Sequence, residues 1–104
     1  MAESGKAITE YFKGHITYIN VLKNISIDCD CNAHGAPPKC EDISILGSTD
    51  IVAIDKASLD LVYNLPIEQN RDLIERIESR SGRHQIEYMK TLGMGNTDYN
   101  LIRV

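Results

Sequence analysis

The run Ile51–Tyr63 constrains the fold more than any other part of this chain. Ile51, Val52, Ala53, Ile54, Ala57, Leu59, Leu61 and Val62 put apolar side chains around most of a helix. A helix with so little polar surface has to be packed on several sides. Ser48-Thr49-Asp50 immediately ahead of it supplies side-chain oxygens suited to an N-cap. Its charges are Asp55, Lys56 and Asp60. Lys56 and Asp60 are spaced to pair along the exposed edge, for roughly a few tenths of a kcal/mol.

The remaining elements should arrange themselves around this helix. Ala7–Lys13 reads as a short helix with Ile8, Tyr11 and Phe12 on one side, ended by Gly14. His15–Ile27 is rich in Ile, Tyr, Thr and Val, which predicts a strand, bulged near Leu22–Asn24. Ile43, Ile45 and Leu46 give a second short strand closed by Gly47. After the break at Leu65-Pro66, Asn70–Ser79 predicts a polar helix with Leu73, Ile74 and Ile77 inward. Gly82 interrupts, and Arg83–Leu92 predicts a further helix with Ile86, Met89 and Leu92 inward and Gly93 as its cap. Tyr99-Asn100-Leu101-Ile102 then reads as a final strand. The fold class expected is α/β (α+β): one domain over residues 1–104, with a small three-stranded sheet and about four helices packed on it. The sheet edges would be open to a partner strand. The core should be aliphatic, because the chain has no Trp and one Phe.

Between the first two strands lies a segment of another kind. Asp28–Asp42 holds all three cysteines, with Asn32, Gly35, Pro37 and Pro38 excluding regular structure. A loop of this length in a small domain is expected to be functional or ordered by a ligand. Cys29 and Cys31 form a C-x-C pair, and Cys40 follows after eight residues, with His34 between. Thiolates are the soft ligands zinc and iron prefer, and three Cys with one His is a permitted tetrahedral zinc set. A cubane iron–sulfur cluster takes four ligands, so here it would need His34, an Asp, an exogenous ligand or a second chain. Plain thiols and a redox-active pair stay open as alternatives. Asp28, Asp30, Glu41 and Asp42 raise the local negative charge, which disfavours a reactive thiolate and attracts a cation.

Composition removes other classes. The net charge is -4 and the basic residues Arg76, Arg80 and Arg83 are interleaved with Glu75, Glu78 and Glu87, so a nucleic-acid partner is not expected. Apolar runs fall far short of the roughly 20 residues of a membrane span, and the first residues lack an apolar signal region. The expected location is cytoplasmic, where three cysteines are thiols or ligands rather than structural disulfides. Gly93-Met94-Gly95 lacks the Lys-Ser/Thr of a phosphate loop.

One combination of motifs resembles a known family. It comprises Tyr18-Ile19-Asn20-Val21-Leu22, Cys29-Asp30-Cys31, Asp42-Ile43, Gly47-Ser48-Thr49-Asp50 and Val52–Leu61, then His84-Gln85, Tyr88, Leu92-Gly93-Met94-Gly95 and Tyr99-Asn100-Leu101-Ile102. Together these resemble the C-terminal part of the domain-of-unknown-function 362 family, whose members are often joined to ferredoxin-type iron–sulfur modules. Ile51 stands where the family pattern has proline, at the first helical position that proline favours. Family members are usually longer, and the chain carries no C-x-x-C-x-x-C-x-x-x-C ferredoxin run. The resemblance therefore implies a partial, C-terminal unit in an iron–sulfur or redox context. Its expected partners are a missing N-terminal domain, a ferredoxin-type module or a second copy.

Three functional readings follow. The first is a metal-binding module in which Cys29, Cys31, Cys40 and His34 hold zinc or an iron–sulfur cluster. The second is half of a redox enzyme site, with Asp50, Asp55 and Asp60 beside the cysteine loop. The third is a structural interaction domain with free thiols. Capping is the plainer role for Asp50 and for Ser48-Thr49. His84 at a helix start is more simply a solvated residue, and His15 at a turn carries no functional weight.

Overall fold

A computed structural model describes residues 1–27, 33–38 and 40–104 of the chain. The elements run α1 (Ala2–Tyr11), β1 (Tyr18–Leu22), β2 (Ser44–Ser48), α2 (Ile51–Tyr63), α3 (Ile67–Ser79) and α4 (Gly82–Thr91). This is a mixed α+β fold of four helices and, among the described residues, one two-stranded antiparallel sheet.

Helix α2 begins and ends as the sequence predicts. Asp50 is its N-cap, with Oδ1 accepting from the backbone N–H groups of Val52 at 2.9 Å and Ala53 at 3.0 Å. Those are two of the donors a helix start leaves unpaired. Its far end is finished from α3: the buried Asn70 amide nitrogen lies 3.1, 3.1 and 2.9 Å from the carbonyls of Val62, Tyr63 and Leu65. That side chain turns the break at Leu65-Pro66 into a tight joint between two helices. Lys56 and Asp60 form the expected pair.

Two apolar clusters flank α2. Ala2, Val52, Ile86 and Met89 make the first, between α1, α2 and α4, with Ile51, Leu59, Tyr88, Leu92 and Met94 packed around them. Cys40, Val62 and Leu73 make the second, toward α3, joined by Ile25, Ile27, Ile43, Leu65 and Ile77. Val52, 0% exposed, is the most deeply buried of these. Helix α4 ends in a Schellman turn. Gly93 takes φ 76°, its N–H reaches the Lys90 carbonyl at 3.0 Å, and the Met94 N–H reaches the Met89 carbonyl at 3.1 Å.

The sheet pairs Tyr18 with Ser48, Asn20 with Leu46 and Leu22 with Ser44 on its inner side. The outer side carries Ile19, Val21 and Ile45, exposed at 68, 58 and 68%. Apolar residues thus lie on both faces, and Asn20 looks toward α2 from among Tyr18, Leu22 and Leu46.

The expected three-stranded sheet is corrected to two strands. Tyr99–Ile102 is described and is not a strand. The Tyr99 hydroxyl donates to the Asp60 carboxylate, so a side chain tethers this segment to α2, and Leu101 and Ile102 stay 57 and 81% exposed. Strand-favouring residues alone do not make a strand when no ladder is offered. The first strand is also shorter than predicted, since Asn24 adopts φ 53° beyond its end. Helix α1 starts five residues earlier than expected, at Ala2, because Ala2 packs against Val52 and Met89.

Candidate functional site

The two flanks of the cysteine loop converge. Ile25 and Ile27 on the incoming side pack in the same cluster as Cys40 on the outgoing side. Cys40 is a buried, unoxidised thiol whose S–H faces the Ile25 carbonyl at 3.8 Å. Two further ties close the base: the Asn24 N–H donates to Asp42 Oδ1 at 3.0 Å and the Ile43 N–H to the Leu22 carbonyl at 2.8 Å. The Glu41 N–H donates to Gln69 Oε1 at 3.0 Å, fixing the loop to α3. Cys40 lines a recess of about 10 Å³ together with Glu68 and Asp72, space for about one water-sized species.

Of the predicted ligands, Cys29 and Cys31 lie outside the described residues. His34 sits in an exposed turn. Among the described residues, no three His, Cys, Asp or Glu side chains come together as a metal-ligating group.

A family model described as Domain of unknown function (DUF362) matches residues 2–60. The chain belongs to this family. No curated protein and no solved structure matches it. The DUF362 stretch runs from α1 through the cysteine loop into α2, so it takes in Cys29, Cys31, His34, Cys40, Asp50, Asp55 and Asp60 and stops short of His84.

The three acids of the DUF362 helix α2 do not form one constellation. Asp50 is occupied as a cap, and its Oδ2 also accepts the Asn96 N–H at 3.0 Å. Asp60 is bound by Lys56 and Tyr99. Burial alone would raise its pKa, but the hydrogen bonds from Lys56 and Tyr99 and the charges of Lys56 and Arg83 outweigh that and hold it below the ordinary carboxylate value. The same contact pushes the Tyr99 hydroxyl up to about 12, first through its hydrogen bond to Asp60, then through burial and the Asp60 charge. Asp55 accepts from Asn20 Nδ2 at 2.9 Å. His84 is exposed, its ring 6.1 Å from that of Tyr88.

The structure also assembles a group that sequence reasoning passed over. Lys6, Lys13 and His15 line one cleft of about 540 Å³ with Thr9, Tyr18 and Thr49. Lys6 is paired with Glu10 at 3.7 Å. The three bases come to line one cleft as the chain reverses at Gly14, with φ 82°, and no sequence spacing announces that. Asn20 was likewise passed over, since an Asn inside a strand pattern carries no signal of its own.

No helix among the described residues is long and apolar enough to cross a membrane.

Proposed function

We propose that this DUF362 chain is a metal-binding module in which Cys29, Cys31 and Cys40, with His34 as fourth ligand, hold zinc or an iron–sulfur cluster. The observation that supports it is the clamped base of the loop. Ile27 packs in the cluster of Cys40, and Cys29 and Cys31 follow it by two and four residues. An extended chain covers at most about 3.6 Å per residue. Two and four residues of chain span at most about 7 and about 14 Å from Ile27, short enough for one ion with sulfur ligands at about 2.3 Å to be shared with Cys40. The donor set is soft and acidic residues flank it in the sequence, which suits a thiophilic cation. A bound zinc would lock the loop, whereas a cluster would supply one-electron transfer. For either, Cys40 would serve as a ligand in place of its weak contact with the Ile25 carbonyl.

The test is elemental analysis with a visible spectrum on anaerobically purified protein, followed by thiol counting under native conditions. Burial shields Cys40 whether or not metal is present, so one protected thiol is uninformative. The proposal expects about one zinc, or iron with sulfide-to-iron absorption, all three thiols protected, and loss of the metal in Cys31→Ser. Folded, metal-free protein in which Cys29 and Cys31 react freely would overturn it and favour a structural domain with free thiols.

A further inference from the structure

Asp55 stands apart from the other acids of α2. Its Oδ1 accepts from Asn20 Nδ2, while among the described residues no Lys, Arg or His pairs with it and no donor reaches Oδ2. A half-buried carboxylate without a counter-charge is unfavourable, yet this one is built in with care. The second Asn20 amide hydrogen goes to Ser58 Oγ at 3.0 Å, and the Ser58 hydroxyl donates to the Ile54 carbonyl at 2.8 Å. Ser58 is 9% exposed. Each hydrogen in this relay has one acceptor, so Asn20 fixes Asp55 from behind and leaves Oδ2 unused. Asp55 and Ser58 line a cleft of about 310 Å³ whose walls include Leu22, Leu59, Val62 and Ile86. A few oriented polar groups among apolar walls, in a cleft of this size, is the usual makeup of a small-molecule site.

We propose that this cleft binds a small organic cation: a primary ammonium on an apolar stem, its head on Asp55 Oδ2 and its stem against Leu22, Leu59 and Ile86. The geometry discriminates between cations. A guanidinium fork needs two acceptor oxygens side by side, and the Asn20 amide already occupies one lone pair of Oδ1 and stands beside it. A hard divalent ion needs about six oxygen ligands, and no metal-ligating group forms here among the described residues. An ammonium is a compact charge that one carboxylate oxygen can serve. The site shares no ligand with the proposed metal centre, so either reading stands or falls without the other.

The experiment titrates the full chain with n-butylammonium, n-butylguanidinium, n-butanol and magnesium, followed by backbone and Asn side-chain amide shifts in NMR. The expected result is saturable binding of n-butylammonium, with shifts centred on the Asn20 side-chain amide and Ile54–Leu59. Butanol and magnesium should bind at least about tenfold more weakly, as loss of a charge-assisted hydrogen bond implies, and n-butylguanidinium should gain nothing over the ammonium. Asp55→Asn should weaken ammonium binding by about the same factor, and the exposed Asp98→Asn should leave it unchanged. Butanol binding as well as butylammonium would overturn the proposal on wild-type protein alone, whether or not Asp55→Asn folds. So would tighter guanidinium binding, shifts that map elsewhere, or no saturation.

Discussion

Gly95→Ala should unfold this protein more easily, although Gly95 takes no backbone conformation closed to alanine. A Cβ at position 95 would overlap Asp50 Oδ1 and stand 2.7 Å from Asp50 Cγ. The Asp50 side chain cannot yield cheaply, because it accepts from Val52, Ala53 and Asn96 at once. Displacing it removes an N-cap, about 1 kcal/mol, and a backbone hydrogen bond to a carboxylate, about 1 kcal/mol or more. The expected loss is about 2 kcal/mol in urea-induced unfolding, with an unchanged m-value. The cycle with Asp50→Ala isolates the cause. Once Asp50 is gone the methyl has room, so Gly95→Ala should then cost no more than about 0.5 kcal/mol, a coupling of the size expected for groups in contact. A Gly95→Ala penalty that persists in the Asp50→Ala background, or no penalty in the wild type, would refute the reasoning.

Other outcomes are equally specific. Asn70→Ala should destabilise by about 2–3 kcal/mol in the same assay, since it strips one buried and two partly buried carbonyls of their donor. Val52→Ala should cost about 2 kcal/mol, from two lost methyl groups plus the cavity left at a fully buried site. Tyr99 is raised from its ordinary 10 to about 12 in the folded chain. Its contribution is therefore complete below pH 10 and lost as pH rises through about 12, and Tyr99→Phe should flatten stability across that window; tyrosinate absorption read against unfolding checks it. Asp60 is lowered by Lys56 and Tyr99 against the effect of burial, so its contribution is present above the ordinary Asp value and fades as pH falls through the depressed one, a fade that should shrink in Lys56→Met.

The helices were legible where side-chain chemistry is local. Asp50 followed by an apolar run announces α2, and Gly93 announces the end of α4, because capping needs only nearby residues. The final segment is not the strand its residues suggest because Tyr99 answers to Asp60, far back in the chain, and local residue types cannot show such a partner. The α1 boundary was missed for a related reason: Ala2 is held by packing against Val52, not by its own propensity. As for the site, the sequence showed the cysteines and acids but not their division of labour. Asp50 as a cap followed from its place before α2. Asn20 and Ser58 became meaningful only when β1 was laid on that helix, which brings residues 38 positions apart within a hydrogen bond.

Helix α2 belongs to both apolar clusters, and this bears on how the protein can be taken apart. A cleavage or insertion inside α2 would expose the α1–α4 side and the α3 side together, so the chain has no seam there. Fragment complementation should instead tolerate a cut at Gly14, a positive-φ turn where a side chain would meet nothing within 4 Å. Helix α1 supplied as a separate peptide would then be the piece that returns, carrying Ala2 back to Val52.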